Sequence, residues 1–179
     1  AMAHDVLARL AAHPDIDLLS VVCGEGWTDD FLKHYGSRIW RESEWNAKGL
    51  NDALSGAIGR ADGQVLMLVH ADLPFLSHEE LTEVIRITKS HDVLLCPDRH
   101  GQGTNVMGIN RALAFPLSFG QGSYERHRRT LIDYNLSWCR LKSEGLANDI
   151  DCPKDLVGID SFSADLGIAT SNWCKLYRG

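Results

Sequence analysis

The sequence predicts an α/β fold in which a mostly parallel sheet carries helices on both faces. Segments with the apolar spacing of helices alternate along the chain with short apolar runs that are typical of buried strands. This alternation is the pattern of helices packed on a parallel sheet. With 179 residues, 44% of them hydrophobic, the chain is long enough for one domain with a substantial core. We therefore treat residues 1–179 as a single domain.

Helices are predicted where apolar residues recur every three or four positions. Thr28 and Gly36 are expected to begin and end one short helix, and Leu50 is expected to face inward on the next one. Ser77 and Glu80 form a capping box in front of a further helix. The predicted helical segments are 3–13, 28–35, 50–61, 78–90, 122–134 and a turn from 153, with an amphipathic tail at 173–177.

Six strands are predicted, and the third is the most informative because it runs into polar residues. The five apolar residues 65–69 are followed by His70, Ala71 and Asp72. Ligands of open α/β sheets bind beyond the carboxyl ends of the strands, so Asp72 lies where a metal ion or a phosphate would bind. The alternative for this residue alone is a helix N-cap or a turn aspartate. The predicted strands are 16–23, 37–41, 64–69, 92–96, 104–109 and 136–141.

Charge and cysteine content argue against several classes of protein. The net charge is −6 and no run of lysine and arginine stands out, so nucleic-acid binding is not predicted. No apolar run approaches the roughly 18 residues of a membrane span, and no signal peptide is recognisable. The five cysteines form no CxxC pair, which predicts reduced cysteines in a cytoplasmic protein.

Asp149 and Asp151 are separated by a single residue. On an extended segment, side chains two positions apart project to the same face. Together with Asp72 they would supply three oxygen ligands of the kind that Mg²⁺ prefers, alongside substrate phosphates and water. The alternative for the pair alone is a solvated loop.

Two glycine-containing segments have the composition of phosphate-binding loops. Gly120, Gly122 and Ser123 precede a predicted helix, where free backbone N–H groups and a hydroxyl would face an anion. A second segment, 101–105, runs into a predicted strand and offers the Thr104 hydroxyl. The local sequence is also compatible with a plain turn for the first segment and a bulged hairpin for the second.

Taken in order, five segments of the chain resemble one protein family. They are similar to segments of the 2-phospho-L-lactate guanylyltransferases of deazaflavin coenzyme (F-420) biosynthesis. The similarity covers residues 2 to about 156, and its specificity comes from the order of the motifs. The matching segments are Gly49-Leu50-Asn51, Ala71-Asp72-Leu73-Pro74, 97–105, 119–127 and 149–156.

The resemblance implies a Rossmann-like three-layer sandwich of the nucleotide-diphospho-sugar transferase type. It also implies transfer of GMP from GTP onto the phosphate of a small phospho-acid, with release of pyrophosphate. The acceptor in such enzymes is 2-phospho-L-lactate, phosphoenolpyruvate or 3-phospho-D-glycerate. The implied partners are therefore GTP and one of these acids, and the implied cofactor is Mg²⁺.

The same resemblance implies roles for residues of this chain. The catalytic ligands of Mg²⁺ would be Asp72, Asp149 and Asp151. The acceptor phosphate would be held by Thr104, Gly120, Gly122 and Ser123. The guanosine would lie near Gly49, Leu50 and Asn51. Arg126 and His127 belong to the same motifs, but as neighbours on a helix surface they are more simply structural.

Members of the family begin with a strand and a loop that helps to bind the triphosphate, whereas this sequence opens on a helix. We therefore expect the first β-loop-α unit to be missing and the sheet to have a gap or exposed edges. Another copy of the chain could cover such edges and form a homo-oligomer. Two alternatives stay open. One is an impaired relative that binds phosphate or nucleotide, or oligomerises, without catalysis; the other is a nucleotidyltransferase that uses CTP or a sugar phosphate.

Overall fold

The structure, a computed structural model, describes residues 1–110, 113, 115–156 and 166–177. Within these ranges the predicted strands and helices are present, with ends that differ by a few residues. None of the helices described there is long and apolar enough to cross a membrane. The elements are α1 (Met2–Ala12), β1 (Ser20–Cys23), α2 (Asp29–Lys33), β2 (Arg38–Arg41), α3 (Leu50–Arg60), β3 (Val65–Val69), α4 (His78–Thr88), β4 (Val93–Pro97), β5 (Thr104–Asn110), α5 (Ser123–Asp133), β6 (Trp138–Arg140), α6 (Glu144–Ala147) and α7 (Ile168–Tyr177), with 3₁₀ turns at Glu42–Trp45 and Pro153–Leu156.

The larger sheet has the strand order β3-β5-β4-β6. β5 pairs antiparallel with both of its neighbours, whereas β4 and β6 pair in parallel. Three of the four strands therefore run in one direction, which confirms the mostly parallel sheet. The reversed strand follows from the tight connection between Pro97 and Thr104, where the register shifts at Cys96 and a bulge forms. The bulged hairpin is thus the structure that segment 101–105 adopts.

Helices cover both faces of this sheet, so the fold has the three layers that the resemblance implies. Leu94 and Cys96 of β4 pack in a cluster with α4 on one face. Val93 and Leu95 pack in a second cluster with α5 on the other face. All five residues of β4 are buried. Burial on both faces explains why this strand is a continuous apolar run and does not alternate with polar residues.

The predicted capping box forms at the start of α4 and also holds α6. The Glu80 N–H donates to Ser77 Oγ at 3.1 Å, and the Ser77 N–H donates to Glu80 Oε2 at 2.9 Å. The Glu80 carboxylate also accepts hydrogen bonds from the Gly145 N–H, at 2.9 Å, and from the Ser143 hydroxyl. One carboxylate therefore begins α4 and fixes α6, the helix that leads into residues 148–151.

Two local predictions need correction. Leu50 is 47% exposed and not inward, because it lies in the first turn of α3 beside Gly49. Thr28 does occupy the N-cap position of α2, as predicted, although its side chain makes no capping hydrogen bond. β1 begins at Ser20 and not at residue 16, because its partner strand begins only at Arg38, which pairs with Ser20. Gly36 has a φ of +66°, as expected for a helix stop.

A gap separates the larger sheet from a second, two-stranded parallel sheet formed by β1 and β2. Among the described strands, β1 pairs only with β2, and β3 only with β5. Residues of both β1 and β3 line one cavity of about 1030 Å³. All five residues of β3 are only partly buried, in contrast with those of β4. Among the described strands, β1 and β3 therefore each have one unpaired edge.

Gly108→Ala tests how closely α4 packs on the sheet. A Cβ on Gly108 would overlap the Thr88 side chain, whose hydroxyl already donates to the Val84 carbonyl at 2.7 Å. Overpacking of this kind costs about 1–3 kcal/mol, and we expect the free energy of unfolding in urea to fall by that amount.

Gly59→Ala is the matched control for this substitution. Gly59 lies exposed on α3, and nothing lies within 4 Å of an added Cβ. Replacing a helical glycine by alanine in open space should raise the free energy of unfolding by up to about 1 kcal/mol. Unchanged stability of the Gly108→Ala variant would contradict the close packing of α4.

Candidate functional site

Three segments of the chain meet beyond the end of β3. The Ile150 N–H donates to the Asp72 carbonyl oxygen at 3.1 Å, so residues 149–151 lie alongside Asp72. The His70 N–H donates to the Asn105 carbonyl oxygen at 3.1 Å, which brings the start of β5 to the same place. The Asn105 side-chain amide donates to the Leu146 carbonyl at 3.1 Å and so holds the end of α6 there. Backbone hydrogen bonds thus assemble the predicted carboxylate segments.

The three predicted aspartates interact through their charges. Burial is the largest cause that raises the pKa of Asp72, and the charges of Asp149 and Asp151 add to it while His70 opposes it. The pKa of Asp151 is also raised, first by burial and then by Asp149. Within the described ranges, Asp72 Oδ1 and His70 Nε2 are buried without a hydrogen-bond partner. A cation would relieve this concentration of negative charge.

The carboxylates fit a metal ion that is shared with a substrate better than one held by protein alone. In the part of the chain that the structure describes, no group of three or more His, Cys, Asp or Glu side chains is arranged to hold a metal ion. Mg²⁺ often takes only one or two carboxylates and completes its coordination with substrate phosphates and water. The unpartnered oxygen of Asp72 suits that mode of binding. The set of three ligands, Asp72, Asp149 and Asp151, stays a prediction.

The predicted acceptor-binding residues come together at the amino end of α5. Gly120 and Gly122 have φ values of +114° and +71°, which allow the backbone to turn sharply into Ser123, the first residue of α5. The Ser123 hydroxyl donates to Thr104 Oγ1 at 3.3 Å. Both side chains are buried, with exposed fractions of 1% and 2%. The glycine turn and the two hydroxyls therefore form one cluster.

The sequence led us to expect His127 on the helix surface. The structure instead buries it fully on α5. Its Nε2 accepts a hydrogen bond from the Ser118 N–H at 3.0 Å, and its Nδ1 lies 3.0 Å from Thr104 Oγ1. Burial, with a smaller contribution from Arg126, lowers its pKa to about 4, so the ring is neutral at pH 7. The four-residue spacing of buried positions along α5 is the sequence signal that places this ring inward.

Asn51 connects the segment predicted to lie near guanosine with the glycine turn. Its Oδ1 accepts a hydrogen bond from the Phe119 N–H at 2.6 Å, and its Nδ2 donates to the Phe119 carbonyl at 3.1 Å. Gly49, at the N-cap of α3, has a φ of +130°, and Leu50 is exposed beside it. The structure therefore places all three residues at the start of α3. Both the oxygen and the nitrogen of the Asn51 amide are hydrogen-bonded to the Phe119 backbone.

Two further positioning residues, Asn105 and Arg126, lie in the motifs that carry the resemblance, but no local pattern predicted what they contact. Asn105 is buried, and its Nδ2 lies 3.4 Å from Asp149 Oδ1 in addition to its bond with the end of α6. The Arg126 guanidinium donates to the Ser118 carbonyl at 2.8 Å and so closes the turn before α5. Both residues act on segments that are brought near them only by the fold, which no local periodicity encodes.

Comparison with known proteins identifies the family. A family model described as guanylyl transferase CofC like matches residues 1–166. The chain belongs to this family. It is 34% identical to a phosphoenolpyruvate guanylyltransferase of Sphaerobacter thermophilus over 84% of this chain and 73% of that protein. It is also 34% identical to a 2-phospho-L-lactate guanylyltransferase of Methanopyrus kandleri (60% and 55%), and 30% identical to a 3-phospho-D-glycerate guanylyltransferase of Phenylobacterium zucineum (69% and 58%). The chain thus spans about half to three quarters of the length of these relatives.

Solved structures of low sequence identity share the fold. A candidate nucleotide-diphospho-sugar transferase from Desulfovibrio desulfuricans matches with a TM-score of 0.72 at 17% identity, over 87% of this chain and 69% of that one. A 2-C-methyl-D-erythritol 4-phosphate cytidylyltransferase from Thermus thermophilus matches with a TM-score of 0.65 at 13% identity, over 92% and 89%. Glucosyl-3-phosphoglycerate synthase from Mycobacterium tuberculosis, in complex with Mg²⁺ and uridine-diphosphate, matches with a TM-score of 0.64 at 17% identity, over 90% and 71%. These matches confirm the predicted fold class.

The buried ring of His127 predicts a stability that depends on pH. The folded protein keeps the ring neutral with a pKa of about 4, against 6.5 for an ordinary histidine, so the unfolded chain binds more protons between these values. The contribution is fully present above pH 6.5 and declines as the pH falls towards 4, by on the order of 3 kcal/mol. Asp72 and Asp151, whose pKa values are raised, act in the opposite sense at the acidic end.

Urea unfolding of the wild type and of His127→Gln at a series of pH values between 4 and 7 measures this contribution. Glutamine is polar but does not titrate, so the difference between the two pH slopes isolates the ring from the aspartates. We expect a shallower slope in the variant. Parallel curves for the two proteins would show that the ring titrates normally in the fold.

Proposed function

We propose that this protein transfers GMP from GTP to the phosphate of a small phospho-acid and releases pyrophosphate. Family membership supports the reaction type, because the matched relatives are named guanylyltransferases. The observation that carries the proposal is the buried, unpartnered carboxylate oxygen of Asp72 beside the charges of Asp149 and Asp151. Phosphoenolpyruvate, 2-phospho-L-lactate and 3-phospho-D-glycerate, which appear in the names of the relatives, are the candidate acceptors.

The reaction needs no covalent intermediate with the protein. An oxygen of the acceptor phosphate attacks the α-phosphorus of GTP and forms the new P–O bond. The bond from this phosphorus to the oxygen that bridges to the β-phosphate breaks, and its electron pair leaves with pyrophosphate. The attacking oxygen is already ionised at neutral pH, so no residue has to remove a proton. The protein has to hold two anions in line and offset their mutual repulsion.

The carboxylate segments would hold Mg²⁺ together with the triphosphate. Asp72, Asp149 and Asp151 are the residues that would bind the ion, which supplies positive charge to the phosphates when bound. The backbone bond from Ile150 to Asp72 keeps the two segments at a fixed separation, and the Asn105 amide restrains Asp149. The site is therefore ordered before a nucleotide arrives, which limits the reorganisation that binding requires.

The amino end of α5 would hold the phosphate of the acceptor. The positive end of the helix dipole attracts phosphate, and α5 is 11 residues long. The Ser123 and Tyr124 N–H groups are already bonded to the Gly120 and Gln102 carbonyls, at 2.9 Å and 3.0 Å. Gly120 and Gly122 leave the backbone open to close approach by an anion, and Thr104 and Ser123 add hydroxyl groups. These groups are neutral donors, which suit a substrate that brings its own negative charge.

The nucleoside would lie at the start of α3. The lining of the cavity of about 1030 Å³ includes Leu50, His70, Asp72 and Phe119, which gives room for a nucleotide next to Asp72. Gly49 and Asn51 flank the same position. A role in deazaflavin coenzyme F-420 biosynthesis and a location in the cytoplasm stay predictions, and we propose no nucleic-acid or membrane partner.

Asp72→Asn tests the proposed reaction. The amide keeps the shape of the side chain but removes the charge that would hold the cation, so we expect pyrophosphate release to fall by about 100-fold or more. Release is measured with GTP, Mg²⁺ and each of the three candidate acids. GTP with Mg²⁺ at roughly 100 times its dissociation constant should also stabilise the wild type by about 2.7 kcal/mol, and this gain should disappear in the variant.

Asp133→Asn is the matched control, because Asp133 lies exposed at the far end of α5 and its loss should leave activity unchanged. The same assay is run with CTP, UTP and ATP in place of GTP. Faster release with CTP than with GTP would overturn the guanylyl assignment. Full activity of Asp72→Asn would remove the carboxylate site from the mechanism.

We also propose that copies of the chain associate through the open edges of β1 and β3. An unpaired strand edge offers backbone N–H and C=O groups that a second chain can pair with, and among the described strands β1 pairs only with β2 and β3 only with β5. Light scattering across a range of protein concentrations should then show a species of at least twice the mass of one chain. A constant monomer mass would contradict this proposal.

A further inference from the structure

The proton on the His127 ring can be assigned from the hydrogen bonds around it. The Ser118 N–H is a backbone group that can only donate, and it points at Nε2 from 3.0 Å. Nε2 must therefore carry the lone pair. A neutral imidazole has one N–H, so the proton sits on Nδ1, which lies 3.0 Å from Thr104 Oγ1. The ring therefore donates to the Thr104 hydroxyl and does not accept from it.

This assignment fixes what the neighbouring hydroxyls can do. Thr104 and Ser123 share one hydrogen bond between their oxygens, at 3.3 Å, which uses one of their two hydroxyl hydrogens. The other hydrogen cannot be given to His127, because the ring nitrogen facing the pair is itself a donor. Among the described residues no other acceptor is bonded to either hydroxyl. One hydrogen of the pair is therefore without an acceptor among the described residues.

We propose that His127 is a positioning residue that fixes the Thr104–Ser123 hydroxyl pair as a hydrogen-bond donor to the phosphate of the phospho-acid. The inference rests on the proposed function, since it takes the acceptor phosphate as the ligand of this pair. A phosphate oxygen accepts hydrogen bonds, and bonds to a charged acceptor are stronger than neutral ones. With the opposite tautomer, the Thr104 hydroxyl would donate its hydrogen bond to Nδ1 of the ring, and only its oxygen lone pairs would face an anion.

The same ring also holds the turn that precedes α5. Its Nε2 binds the backbone of Ser118, next to Phe119, whose own N–H and carbonyl are bonded to the Asn51 side chain. The ring therefore connects the direction of the Thr104 hydroxyl with the position of the glycine turn. One ring contacts both the Thr104 hydroxyl, through Nδ1, and the Ser118 N–H, through Nε2. A substitution that keeps only one of these two hydrogen bonds therefore separates their effects.

His127→Asn and His127→Gln form the matched pair for this test. The asparagine amide nitrogen can take the place of Nδ1 and keep a donor towards Thr104, whereas the glutamine oxygen can take the place of Nε2 and keep an acceptor for Ser118. A hydrogen bond to a charged group changes affinity by about 10-fold or more, so we expect His127→Gln to raise the KM for the phospho-acid by that factor. His127→Asn should stay within about 3-fold of the wild type, and the KM for GTP should be unchanged in both.

Thr104→Val provides the second arm. It removes the hydroxyl and should raise the KM for the acid as much as His127→Gln does, and the double variant should show no further loss. Equal losses in His127→Asn and His127→Gln, a parallel rise in the KM for GTP, or additive losses in the double variant would each overturn the proposal, because they would indicate a general structural role.

Two measurements keep the inference separate from the proposed function. Binding of inorganic phosphate, followed by thermal shift, should show the same order of the variants without any turnover. A long-range ¹H–¹⁵N spectrum of the wild type should place the His127 proton on Nδ1, and a proton on Nε2 would overturn the proposal directly. A wild type that releases no pyrophosphate with any acid, yet binds phosphate in the expected order, would refute the proposed function and support the role of His127.

Discussion

The antiparallel pairing of β5 between β3 and β4 is the interaction on which the site depends. Because β5 begins where its two neighbours end, its first residues, Thr104 and Asn105, lie at the same edge of the sheet as Asp72. The bond between the His70 N–H and the Asn105 carbonyl extends this pairing beyond Val69. A parallel strand of seven residues would carry the same side chains to the opposite edge, roughly 20 Å away. The hydroxyl and carboxylate halves of the site would then be separate.

The carboxylate cluster is unfavourable for the protein alone and useful for its proposed reaction. Burial and mutual repulsion raise the pKa of Asp72, which means that its charge is stabilised less well in the fold than in water. The surrounding backbone bonds hold the aspartates together in spite of this repulsion, and the capping carboxylate of Glu80 fixes the helix that leads to two of them. A cation bound with the nucleotide would be attracted by these carboxylates and would offset their mutual repulsion.

The parts of this structure that follow from local pattern were accessible from sequence, and the parts that follow from long-range pairing were not. The apolar run of β3 and the capping box at Ser77 each depend on neighbouring residues, and both are found where predicted. The direction of β5 depends on which strands it pairs with. The sequence alone therefore did not decide whether segment 101–105 is a phosphate-binding loop or a bulged hairpin. The hydrogen bonds that His127 and Asn51 make depend on contacts with residues 118 and 119, to which no periodicity points.

The edge position of β3 has a consequence for the dynamics of the fold. In an edge strand of an antiparallel pair, alternate backbone amides point towards the partner and away from it. The inward amides of Val65–Val69 are bonded to β5, whereas the described strands provide no partner for the outward ones. In a single, unassociated chain, hydrogen exchange along β3 should therefore alternate between slow and fast with a period of two, while β5, paired on both sides, exchanges slowly throughout. The strand that leads to Asp72 is thus hydrogen-bonded to the sheet on one side and unpaired with any described strand on the other.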